Sequence, residues 1–182
     1  STTPVAVSLP TGRTATSVAA GEYHTCAVLD DASLYCWGHN GNGQLGDGTA
    51  TQSTTPVAVS LPTGRTATSV DAGSLHTCAV LDDASLYCWG NNGNGELGDG
   101  TTTSSSTPVA VSLPSGRTAS SVSAGSEHTC AVLDDASLYC WGYNGVGQLG
   151  DGTTTDRHTP VAVSLPSGRT AASVATGVDY SC

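Results

Sequence analysis

The side chains with most chemical reach in this chain are cysteines, set in pairs ten residues apart: Cys26 and Cys36, Cys78 and Cys88, Cys130 and Cys140. Each pair sits in the same phrase, His-Thr-Cys-Ala-Val-Leu-Asp-Asp-Ala-Ser-Leu-Tyr-Cys-Trp-Gly, beginning at His24, His76 and His128. Two chemistries suit these residue types. His24, Cys26 and Cys36 could ligate a metal, although zinc sites favour tight Cys-x-x-Cys pairs. The other is a disulfide. With a three-residue hairpin loop at Asp30-Asp31-Ala32, Leu29 faces Ser33 and Cys26 faces Cys36. Directly opposed residues at a non-hydrogen-bonded position are close enough to be bridged. A two-residue turn would set Cys26 against Trp37 instead. The spacing therefore favours three disulfides, each stabilising by roughly 2–3 kcal/mol, and an oxidising setting, extracellular (secreted) or periplasmic. Cys182 has the phase of Cys26 but no partner ten residues further on. Either the natural chain continues, or Cys182 pairs with another molecule, or it stays free.

The remaining reactive groups point away from catalysis. His24, His76 and His128 recur identically, as structural histidines bonding the backbone at a strand start would. An active site would need one distinct constellation at one place, and no Gly-x-Ser-x-Gly elbow is present. Asn40, Asn42, Gln44 and Asp47 loosely resemble a calcium loop, yet only one is an acid, whereas strong sites alternate several carboxylates. Glycines there supply positive φ in a tight connection. The expectation is no catalysis, no metal and no cofactor, with calcium as the alternative. Trp37, Trp89 and Trp141 read as buried packing, with a sugar pocket as their rival role. Arg13, Arg65, Arg117 and Arg169 share one turn and are expected to pair with local carboxylates.

All these motifs repeat every 52 residues without insertion or deletion: Pro4, Pro56, Pro108 and Pro160 open the same Pro-Val-Ala-Val-Ser-Leu-Pro. Such a period means stacked units, none able to bury its apolar face alone. The repeats are 1–52, 53–104 and 105–156, with a partial repeat at 157–182, about 3.5 in all. Within one, Pro4–Leu9, Ser17–Gly21, His24–Leu29 and Leu34–Trp37 read as short strands, and His39–Thr49 as a Gly/Asn-rich loop. Four antiparallel strands per unit and no helical period predict an all-β array of propeller-type blades, part of a seven-bladed ring or a longer open array. The chain has no Phe, Met, Ile or Lys, so its core must come from repeat-on-repeat packing. Its net charge of −10 disfavours nucleic acid and anionic membranes. No apolar run reaches the roughly 20 residues of a membrane span, and no signal peptide is visible.

The run from His24 to Gly38, followed by Asn40 and Gly43-Gln44-Leu45-Gly46, resembles the regulator-of-chromosome-condensation repeat, and it recurs at His76 and His128. The resemblance covers the whole chain. It implies four-stranded blades, usually seven to a closed ring, and the cysteine-paired form looks like a secreted branch of that family. The family's nuclear founder exchanges nucleotide on a small GTPase, an activity that the cysteines and acidity argue against here. One departure is Tyr180-Ser181-Cys182, where the sibling repeats read His-Thr-Cys.

Differences between repeats concentrate at Glu22-Tyr23, Ser74-Leu75, Ser126-Glu127 and Val178-Asp179, and at His39/Asn91/Tyr143, Asn42/Asn94/Val146 and Gln44/Glu96/Gln148. Asp-Asp-Ala-Ser is unchanged three times. In an antiparallel blade this predicts a variable contact face of Glu22, Tyr23, His39, Ser74, Leu75, Asn91, Ser126, Glu127 and Tyr143, opposite a constant one; drift at tolerant loop positions explains the pattern equally well. The favoured function is an extracellular structural repeat protein that self-associates into an array or filament, because identical interfaces propagate. The alternative is a secreted binding module whose variable face grips a protein or glycan, in the manner of an inhibitor.

Overall fold

The computed structural model describes residues 3–182 and contains twelve strands and no helix among them. The first sheet comprises β1 (Ala15–Ala20), β2 (His24–Leu29), β3 (Leu34–Gly38) and β4 (Ser53–Ala58). The second comprises β5 (Ala67–Ala72), β6 (His76–Leu81), β7 (Leu86–Gly90) and β8 (Ser105–Ala110). The third comprises β9 (Ala119–Ala124), β10 (His128–Leu133), β11 (Leu138–Gly142) and β12 (Arg157–Ala162). Each is an antiparallel meander in chain order. β1, β5 and β9 touch one another from sheet to sheet and form the inner edge, leaving β4, β8 and β12 outermost.

Each sheet takes three strands from one sequence repeat and its fourth from the next. This corrects the strand expected over Pro4–Leu9. Those residues pair with no strand here, and Val5 and Val7 are 72% and 48% exposed. Their counterparts at 56–58 enter β4, paired through Cys36↔Val57 and Tyr35↔Ala58, while Val59-Ser60-Leu61 already belongs to the link toward the next sheet. One repeat on, Cys88 pairs with Val109 of β8 in the same way. Pro56 has no N–H to give a ladder, and the outermost strand is where that costs least.

The hairpin register follows from turn chemistry. Leu29 N–H donates to the Ser33 carbonyl, and Ala32 takes φ 60°, completing the three-residue loop. Val28 then faces Leu34, and Cys26 faces Cys36. In the second sheet Cys78 likewise faces Cys88, and in the third Cys130 faces Cys140. Cys26 is bonded to Cys36 with Cα atoms 4.1 Å apart. Cys78 is bonded to Cys88 at 4.1 Å, and Cys130 to Cys140 at 4.0 Å. As disulfides, Cys26, Cys36, Cys78, Cys88, Cys130 and Cys140 have no thiolate to offer a metal, so the rival ligand role falls away. Cys182 is a free, exposed cysteine. It lies in the start of a fourth unit, which docks through Ala171 N–H on the Ala136 carbonyl, as Ala67 and Ala119 dock on Ala32 and Ala84.

The core lies between sheets, not within one. Cys26, Val28, Leu34 and Leu45 of the first sheet and its loop meet Ala67, Ala79, Leu81 and Trp89 of the second. The same residues one repeat on, Cys78 and Cys88 among them, join the second sheet to the third. Trp89 and Trp141 are wholly buried. Each indole is roofed by the preceding blade's loop, where Gly46 and Gly98 sit at φ +69° and +67°. A Cβ there would stand 2.6 Å from the indole nitrogen, so glycine answers both the backbone and the packing. Trp37 is half-buried.

Candidate protein-binding face

The β1–β2 and β3–β4 connections lie at one end of each blade, and their backbones are tied together there. His39 N–H donates to the Tyr23 carbonyl (2.9 Å), Asn91 N–H to Leu75 (2.8 Å) and Tyr143 N–H to Glu127 (2.9 Å). The structure thus brings six of the nine expected contact residues together as Tyr23/His39, Leu75/Asn91 and Glu127/Tyr143, one pair per blade. Tyr23 and His39 are exposed and meet edge-to-face at 6.2 Å. Glu22, Ser74 and Ser126 lie closer to the inner edge. They line a groove of about 280 Å³ together with Gly21, Gly73 and Gly125. The Glu22 carboxylate accepts a hydrogen bond from the Ser74 hydroxyl of the next blade. That bond holds the Glu22 carboxyl below its usual range, and Glu22 in turn pushes the Tyr23 phenol up. Glycine is required along this rim: a Cβ on Gly21 would fall 2.4 Å from the Gly73 carbonyl of the adjoining blade.

Beneath the face runs a buried polar ladder that fixes its height. His24 Nε2 contacts Thr77 Oγ1 at 2.7 Å, and Thr77 donates to the Gln44 carbonyl at 2.8 Å. The Trp89 indole N–H donates to that same carbonyl at 3.0 Å. His76, Thr129, Glu96 and Trp141 repeat the arrangement one blade on, and His128 continues it to Ser181. The histidines are structural, but their partner is a neighbouring blade's hydroxyl, not the backbone expected from sequence. Burial pushes His24 down to about 4 and His76 to about 3, and depresses His128 as well, so the rings are neutral.

The variable position Gln44/Glu96/Gln148 is not on the surface at all. Its side chains are buried, and the Glu96 carboxylate accepts from Asn94 N–H (2.9 Å) and Asn91 Nδ2 (2.8 Å). Burial raises its carboxyl, with those donors opposing. The loop is organised by Asn40, whose Oδ1 accepts from Leu45 N–H while Nδ2 donates to the Thr49 and Thr51 carbonyls. Asp47 accepts from Thr49 N–H and its hydroxyl. Among the described residues no group of three or more His, Cys, Asp or Glu is placed to hold a metal ion. Sequence reasoning also missed Asp71, which accepts from Ala124 N–H of the next blade at 2.8 Å. The signal was a lone acid where its siblings have Ala19 and Ser123.

The opposite end is uniform. Arg13 reaches Asp31 at 2.9 Å and Asp30 at 3.8 Å, and Arg65 and Arg117 repeat the fork on Asp83/Asp82 and Asp135/Asp134. These exposed pairs hold link to hairpin but contribute little stability each.

Stacked four-stranded antiparallel sheets with inner strands in contact define a β-propeller architecture. The regulator of chromosome condensation (RCC1) repeat model matches residues 31–80, 83–132 and 135–182, and a second model of that repeat matches 15–44, 67–96 and 119–148. The chain belongs to the RCC1 repeat family, whose propellers are generally protein-binding modules. It is 35% identical to the ultraviolet-B receptor UVR8 of Arabidopsis thaliana over 96% of its own length and 40% of that protein's. It is 31% identical to the E3 ubiquitin-protein ligase HERC2 of Homo sapiens over 86% of this chain and 3% of that one. The chain therefore spans less than half the length of these relatives. Among solved structures it resembles Prp20p of Saccharomyces cerevisiae, described with its binding to Gsp1p and histones, at TM-score 0.82 and 26% identity over 92% of this chain and 42% of that one. The ectodomain of the Physcomitrella patens receptor kinase CR4 shares the fold at TM-score 0.61 and 20% identity, covering 96% and 39%.

Proposed function

We propose that this chain is part of an extracellular β-propeller that binds a protein partner through the variable end of its blades, without catalysis or cofactor. One observation carries this reading. The positions that differ between otherwise near-identical repeats meet in space as Tyr23/His39, Leu75/Asn91 and Glu127/Tyr143 beside one groove, while the other end keeps the same Arg–Asp fork in all three blades. Three disulfides support an oxidising compartment. The likeness to Prp20p, which binds Gsp1p and histones, supports protein recognition by the fold.

A second reading, self-association into an array, has its own support: the contact between the first and second sheets is repeated between the second and third with equivalent residues. Whether either reading uses the variable face is tested by Tyr23→Asp, Leu75→Asp and Tyr143→Asp combined, with sedimentation for self-association and affinity capture from the surrounding medium for partners. Loss of captured protein with unchanged sedimentation supports the binding reading. Loss of self-association alone supports the array. No change in either removes the variable face as a contact surface.

A further inference from the structure

The constant end holds a recurring cavity that the variable-face reading leaves unused. Under the arch that links β4 to β5 lies an opening of about 340 Å³, and one of about 450 Å³ lies at the equivalent place between β8 and β9. Both fall within the size range of small-molecule sites, roughly 300–1,000 Å³. We propose that each cavity binds a neutral saccharide unit, so that the constant end of the array is a multivalent site for a neutral polysaccharide.

The wall chemistry selects this ligand class. Asp31 and Arg65 both line the first cavity, and Asp83 and Arg117 the second. Each charge is already answered by a partner: Asp31 by Arg13 at 2.9 Å, Arg65 by Asp83 at 2.9 Å, and Arg117 by Asp135 at 2.9 Å. The wall is therefore polar but electrically balanced, and it favours neither a cation nor an anion. A polyanion would also meet a chain of net charge −10 with no lysine. Ionised groups whose charge is satisfied remain strong hydrogen-bond partners for hydroxyls. Exposed Ser60 and Thr63, with Ser112 and Ser115 in the second cavity, add hydroxyls that bond to nothing else among the described residues. Half-buried Leu61 and Pro62, matched by Leu113 and Pro114, supply apolar surface for the C–H faces of a sugar ring. An apolar lining with a few convergent polar groups is the general make-up of a small-molecule site.

Recurrence supplies the second half of the argument. One shallow cavity of this kind binds weakly, but equivalent cavities on a rigid array raise avidity for a polymer by about 10²–10⁴-fold over a single unit. The ligand is therefore a chain of repeating neutral sugars.

The test is affinity electrophoresis of the intact, disulfide-bonded chain through gels containing soluble xylan, mannan, mixed-linkage glucan or dextran, with polygalacturonate as the anionic arm and a basic peptide polymer as the protein arm. At least one neutral polymer is expected to retard the chain, and its monosaccharide to compete only at about 100-fold higher concentration. Ser60→Arg with Ser112→Arg, which fills both cavities, should abolish retardation. The smaller Thr63→Ala with Ser115→Ala should weaken it about 3–10-fold, on the scale of one modest hydrogen bond lost per cavity. Tyr23→Ala, on the other end, should leave it unchanged. Thermal melting and cystine content confirm folding of each variant. The proposal is overturned if no neutral polymer retards the chain, if both cavity variants behave as the parent, or if only polygalacturonate or the basic polymer binds.

Discussion

Mild acid should unfasten the blades well before the surface carboxylates titrate. The neutral His24 ring gives its Nε2 proton to Thr77 Oγ1, whose own proton is committed to the Gln44 carbonyl. Its Nδ1 is buried with no partner, and His128 Nδ1 is in the same state. A second proton would put an unsatisfied N–H and a charge into the inter-blade core. His24 is pushed down to about 4 by burial and secondarily by His39, and His76 to about 3 by burial and its two neighbouring ladder histidines. A histidine whose folded value is depressed adds stability fully present above the unfolded value near 6.5. That stability is lost as pH falls toward the folded value, because the unfolded chain takes up the proton first. Linkage gives a loss of about 2 kcal/mol per ring between pH 7.5 and 5, so about 4 kcal/mol for His24 and His76 together. His128 adds in the same direction. Glu96, raised by burial, returns part of the loss because its protonated form suits the folded state. Asp31, Asp83 and Asp135 are lowered, first by the hydroxyl bonds from Ser33, Ser85 and Ser137, and so act only below this window. In urea titrations with the disulfides intact, the midpoint should fall by about 2 M between pH 7.5 and 5, for a slope near 2 kcal/mol/M. His76→Gln should roughly halve that pH dependence, whatever it does to stability at pH 7.5. Equal midpoints at the two pH values, or a fall that begins only below pH 4, would refute the reasoning.

Trp89→Ala removes a wholly buried indole and the bond to Gln44, and should cost about 3–5 kcal/mol by urea denaturation. Reducing the three disulfides should lower stability by about 3 kcal/mol for each ten-residue loop released, read as a fall in melting temperature on adding a phosphine reductant. Glu96→Gln restores the residue that Gln44 and Gln148 occupy in the sibling loops. It should raise the urea midpoint more at pH 8 than at pH 5, since only the ionised carboxylate resists burial.

Short-range rules made much of this legible in the sequence. The hairpin register was readable because side chains alternate across a strand, so only a three-residue loop sets Cys26 against Cys36, or Cys78 against Cys88. The division into a variable and a constant end was readable because alternate connections of a meander share an end. What stayed hidden depends on contacts between repeats. The partner of Pro56–Ala58 is the preceding repeat's third strand, a relation that periodicity cannot phase. Thr77 sits mid-strand with nothing in its type or position to mark it, yet it links His24 to a loop carbonyl 33 residues upstream. Gln44 and Glu96 differ between repeats as the contact residues do, yet their side chains are buried beneath the loop, because sequence difference marks tolerance and surface alike. The recurring cavity under the links is invisible from composition, since Ser60, Thr63 and Arg65 read as ordinary turn residues.

Hydroxyl-radical footprinting of the chain, free and bound to protein captured from its own medium, bears most directly on the claim that the variable end is the contact surface. Oxidation of Tyr23, His39 and Tyr143 should fall on binding, while Tyr35, Tyr87 and the Pro62–Arg65 link stay as reactive as before. Protection confined to the links and the Asp-Asp-Ala-Ser hairpins, with Tyr23 and His39 unchanged, would contradict it.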